Sequence, residues 1–114
     1  MSSSDNPAWV NAIRLRGLEY EALELEDAEV ARFPALQETF RRADDEHLRV
    51  STEYPEDAYE LIATPSATHT TLSEVEAIAE LLGANSVSSG RYESKIVQFQ
   101  GRFYRVSIVV NLCG

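Results

Sequence analysis

Two helix signatures, a glycine-turned hairpin near the C-terminus and the absence of any internal repeat predict an α+β domain. The expected architecture is an antiparallel sheet of four to five strands with two helices packed on one face. At 114 residues, 44% hydrophobic and 25% charged, the chain has enough apolar surface for one core and too little for two. Residues 1–6 read as a flexible polar tail and residues 7–114 as a single domain.

Asn6-Pro7 could open a helix carrying Trp9 and Ile13 one turn apart, with Gly17 as its stop. Ile13 and Leu15 also alternate, as do Leu18, Tyr20 and Ala22, which favours a strand bulged at the glycine. Residues 7–17 thus admit either element, while Leu18 to Leu25 is expected as strand. Asp27 can cap a short turn, and Pro34 fits the first turn of a helix over Pro34 to Asp44, with Leu36, Phe40 and Ala43 on one stripe. Leu48, Val50, Thr52 and Tyr54 then alternate before Pro55-Glu56-Asp57, so a second hairpin is expected, returning over Ala58 to Ala63.

Thr71-Leu72-Ser73-Glu74 matches the capping box, in which the hydroxyl takes the N3 amide and the glutamate reaches back to the cap amide. Val75, Ile78, Ala79 and Leu82 follow on one helical face, and Gly83 suits the left-handed stop. Gln100-Gly101 reads as a two-residue turn that pairs Phe99 with Arg102 and Val97 with Tyr104. Val97, Phe99, Tyr104, Val106, Ile108 and Val110 then face the core, with Phe103 left near solvent.

Nineteen acids against ten bases give a formal charge of −9, and nine of the ten bases are arginine, Lys95 being the sole lysine. Such an acidic, lysine-poor surface fits a concentrated salt solution, where screening shortens to about 3 Å at 1 M. Residues 1–83 carry a net −12 and residues 84–114 a net +3. No apolar run reaches the roughly 18 residues that span a bilayer, and Met1 to Asp5 lacks a secretory pattern, so a cytoplasmic location is expected. Cys113 stands alone, which rules out an internal disulfide and a cysteine zinc set.

His47 and His69 have no second histidine or cysteine at metal-ligand spacing, so no metal or other cofactor is expected. His69 reads as a polar loop residue before a helix, and His47 as a residue at a helix end, where positive charge is favourable. The pairs Asp44-Asp45 and Glu56-Asp57 read as solvated surface charge. Phosphate-binding glycine loops and nucleophile elbows are absent, and nothing predicts an enzyme. Arg91, Tyr92, Lys95, Arg102, Phe103 and Arg105 form the candidate interaction surface, interleaving cations with aromatics.

At Phe33-Pro34-Ala35-Leu36, Phe40-Arg41-Arg42-Ala43 and Val97-Gln98-Phe99-Gln100-Gly101-Arg102-Phe103-Tyr104-Arg105-Val106 the chain resembles small, acidic, uncharacterised proteins of haloarchaea. In those, a proline-led helix precedes a C-terminal hairpin with paired aromatics. The resemblance implies a halophilic setting and supplies no activity, cofactor or functional residue. The expected role is a non-catalytic binding or assembly module, with a homodimer or another protein as partner. Pairing of two copies along an exposed edge of the C-terminal hairpin, beside Phe103 and Val109, is the expected route to a homodimer. The alternative is a nucleic-acid-associated regulator using the basic hairpin, against which the net charge argues.

Overall fold

A computed structural model describes residues 6–17 and 19–111. The elements are β1 (Pro7–Leu15), β2 (Leu23–Leu25), α1 (Asp27–Ala31), α2 (Pro34–Glu53), a 3₁₀ turn (Glu56–Ala58), α3 (Tyr59–Ile62), β3 (Ser66–Thr71), α4 (Leu72–Leu82), β4 (Ser86–Ser88), β5 (Arg91–Tyr92), β6 (Lys95–Phe99) and β7 (Arg102–Val110). Met1 to Asp5 of the expected tail, Leu18 and Cys113 lie outside the described residues.

The fold is α+β, but the sheet differs from the expected one. Among the described residues seven strands form one mixed sheet, in the order β2-β6-β7-β1-β3, with β4 and β5 attached beside β7. β2 runs parallel to β6, Leu23 opposite Val97 and Leu25 opposite Phe99. The long, largely helical stretch between them allows the crossover that a parallel pair needs.

Alternation decides residues 7–17. Ala8, Val10 and Ala12 are buried on one face of β1, and pairing with β7 on one side and β3 on the other satisfies its backbone. Gly17 makes no bulge; its amide donates to the Tyr20 hydroxyl at 3.0 Å, and a Cβ there would run into the Tyr20 ring. The expected strand over residues 18–25 shrinks to Leu23–Leu25.

The predicted middle hairpin is absent. α2 continues through Glu53, so Leu48 to Tyr54 is not a strand. The stripe Leu36, Phe40, Ala43 simply extends through His47 to Val50, and the positions that alternate share no face: Val50 is buried, while Leu48, Thr52 and Tyr54 are exposed. Arginine–carboxylate pairs line the outer side: Arg41 with Glu38 and Asp45, Arg42 with Glu38, and Arg49 with Glu46 and Glu53. Ala58 to Ala63 is likewise no strand; Pro55 ends the extended link and a 3₁₀ turn runs into α3, which buries Tyr59.

α4 starts and stops where its cap residues place it. The Thr71 hydroxyl accepts the Glu74 amide at 3.3 Å, and Gly83 has φ +67°. The second half of the box is redirected: the Glu74 carboxylate accepts the Ala35 amide at 3.2 Å and the Thr70 hydroxyl. It therefore ties the first turn of α2 to that of α4. The final hairpin forms in the predicted register, Phe99 opposite Arg102 and Val97 opposite Tyr104, through a turn with positive φ at Gln100 and Gly101. Its inward residues meet α2 and α4 in one core, where Phe40 lies 5.2 Å from Phe99 and 4.4 Å from Tyr104 between ring centres.

Candidate functional site

All core contacts fall on one face of the sheet. Trp9, Ile13, Leu15, Ile96, Phe103 and Val109 point the other way, belong to no part of the buried core, and are half-buried. Register places them in rows. Trp9 stands between His69 and Val109, and the Trp9 and His69 rings meet edge to face at 5.4 Å. Arg105 stands between Ile13 and Ile96, and Phe103 between Leu15 and Gln98. Tyr20 leans on Phe103 with ring centres 5.2 Å apart.

The six predicted surface residues split by strand alternation. Arg91 faces outward opposite Val109 and shares the open face with Phe103 and Arg105. Tyr92 packs against the core instead, Lys95 pairs with Glu93 at 3.3 Å, and Arg102 turns inward to Asp44 at 2.7 Å. Neither Arg91 nor Arg105 has an ion-pair partner among the described residues. The acid of the paired strands that shares their face is Glu24, at the edge beside Gln98.

Among the described residues β7 has no free edge beside Phe103 and Val109, which are paired on both sides. β7 lies between β6 and β1, so two copies cannot pair along it beside Phe103 and Val109. The alternation was legible; which strand would be interior was not.

Asp44 corrects a second expectation. It is no solvated charge: its side chain is one-quarter exposed and accepts from the Tyr104 hydroxyl at 2.8 Å and from Arg102 at 2.7 Å, with Arg14 at 3.4 Å. Burial first, and then the bond to Asp44, push the Tyr104 phenol well above its ordinary range. Asp44 in turn holds the Arg102 guanidinium firmly charged.

His47 sits in the middle of α2 rather than at a helix end, and its Nδ1 is buried with no hydrogen-bond partner among the described residues. Its ring meets Tyr59 at 5.3 Å, while the Tyr59 hydroxyl donates to the Arg14 carbonyl at 2.8 Å. Burial, then Arg14 and Arg16, hold its pKa below the usual histidine range. His69 belongs to strand β3, not to a loop. Among the described residues no three of His, Cys, Asp and Glu gather as metal ligands, and no helix is long and apolar enough to cross a membrane.

No protein-family model, curated protein or solved structure matches the chain.

Proposed function

We propose that the chain is a small, non-catalytic binding module of a salt-rich cytoplasm whose open sheet face takes an acidic, partly apolar segment of a partner protein. The observation that carries this reading is Arg105, flanked by Ile13 and Ile96 and without an ion-pair partner among the described residues. A purely apolar partner would bury that guanidinium unpaired, which costs several kcal/mol, roughly 3–5 for a broken buried pair. A carboxylate facing it would pair bidentately instead. Tryptophan and arginine are also the residue types that most often anchor interfaces. Apposing two copies of this face would set arginines against arginines, so the reading favours a different protein over a second copy.

Trp9 is the only tryptophan, so its emission reports on this face directly. An amphipathic peptide of glutamate and leucine should shift that emission, and Arg105→Glu should abolish the shift. A second reading, single-stranded nucleic acid, draws on Trp9 and Phe103 lying on the same face as Arg105. An oligouridylate that changes Trp9 emission with affinity falling as KCl rises would favour it. No response to either probe at any salt would refute both.

A further inference from the structure

A second concavity lies where the seam between α2 and the sheet opens at the hairpin turn. It has a volume of about 290 Å³, and Arg14, Arg16, His47, Gly101 and Arg102 line it. Three of the nine arginines therefore converge on one cleft in a chain of net charge −9. Two of them are held unusually closely: the Arg14 and Arg16 side chains are only 25% and 23% exposed.

The cations are fixed but not used up. Asp44 engages one nitrogen of Arg14 and one of Arg102, and a guanidinium carries five N–H donors. Arg16 is braced by the Glu56 main-chain oxygen and by the Glu56 carboxylate at 2.8 Å, and lies over the Tyr59 ring at 5.1 Å. That carboxylate belongs to a side chain 88% exposed, so water competes for it. Preorganised guanidiniums with spare donors are the chemistry that recognises oxyanions.

The geometry points to a site for the phosphate group of a small phosphate monoester, held by Arg14, Arg16 and Arg102 with His47 beside them. The three acceptor oxygens of a phosphate match three guanidiniums, offset by Asp44 and by the exposed Glu56 carboxylate, better than the two oxygens of a carboxylate do. The volume admits the phosphate and a small remainder. The cleft reaches the open face only at Leu15 and Phe103 and takes in none of Trp9, Ile13, Ile96 or Arg105, so its failure would leave the proposed partner surface standing.

The test is calorimetric titration with inorganic phosphate, against succinate and added KCl at matched ionic strength, in salt that keeps the protein folded. Phosphate should bind at one site, and Arg16→Gln should weaken it by about tenfold, as expected for loss of one hydrogen bond to a charged group. Arg16→Gln leaves Tyr104, Asp44 and Arg102 joined, so folding is retained even if Arg102→Gln is too unstable to use. The groups facing His47 are Arg14 and Arg16 at the end of β1, Asp44 on its own helix, Arg102 of the hairpin and the Tyr59 ring. Bound phosphate adds negative charge among them, so the His47 ring signals should titrate at higher pH in its presence. Absence of binding, equal binding of succinate, or phosphate binding unaffected by Arg16→Gln would each overturn the assignment.

Discussion

Replacing Asp44 with alanine removes one acceptor from three donors, and their exposures determine the cost. The Tyr104 hydroxyl donates to Asp44 from a residue only 1% exposed, and a buried donor left unpaired costs roughly 1–3 kcal/mol. The Arg14 and Arg102 pairs are 25% and 45% exposed on the arginine side, so solvent screening limits each to about 0–1 kcal/mol. Asp44→Ala should therefore destabilise by about 2–3 kcal/mol, lowering Tm by about 10 °C for a domain of this size. Urea unfolding at fixed KCl measures it, read as a lower midpoint at unchanged slope. Tyr104→Phe should cost about 1 kcal/mol, because the partly exposed carboxylate can turn to water. The double variant should cost clearly less than the two single costs together, since both remove one interaction. A loss below about 0.5 kcal/mol in Asp44→Ala, or strict additivity, would show that the three donors do not depend on this acceptor.

Three further outcomes follow from the same geometry. Phe40→Ala should cost about 3–5 kcal/mol in urea unfolding while Leu48→Ala stays within about 0.5, as one continuous helix with Leu48 facing solvent requires. His47 has a folded pKa below its reference of 6.5, so between the two values the unfolded chain binds the proton and the native one does not. Stability should fall as pH drops from 6.5 through the folded pKa, and His47→Gln should flatten that slope of midpoint against pH. The thermal midpoint should rise between low and molar KCl as surface carboxylates are screened, and a flat response would refute the halophilic reading.

The sequence reveals elements whose boundaries carry their own chemistry. The Gln100-Gly101 turn and the Thr71 to Gly83 helix appear in register because positive φ and capping are local demands. The run from Leu48 to Tyr54 misleads because its alternation is accidental, whereas the true stripe passes through His47, a residue not counted as apolar. Reading His47 as a stripe position would have joined Ala43 to Val50 at helical spacing and predicted both the long helix and the half-buried imidazole. β3 is hidden for a related reason: Ser66 to Thr71 is polar, and pairing with β1 rather than burial makes it a strand. Residue type suggested the candidate surface; strand parity then divided it, leaving Arg91, Phe103 and Arg105 outside. Arg14 and Arg16 carried no signal, because only the end of β1 meeting the hairpin turn brings them to Arg102.

Net charge places no veto on an acidic partner if the protein works in concentrated salt. At about 1 M the screening length is roughly 3 Å, so a field of −9 neither repels an approaching segment nor steers it. Only charges brought into contact then discriminate, and on the open face the cations are Arg105 and Arg91, with Glu24 at its edge. Selection by contact acts on dissociation rather than encounter. In molar KCl, Arg105→Gln should therefore speed dissociation of the acidic peptide by about tenfold or more while its association rate changes less than about threefold. Stopped-flow Trp9 fluorescence separates the two rates. A loss carried mainly by association would mean that long-range attraction survives the salt, and the face would then be reading charge at a distance.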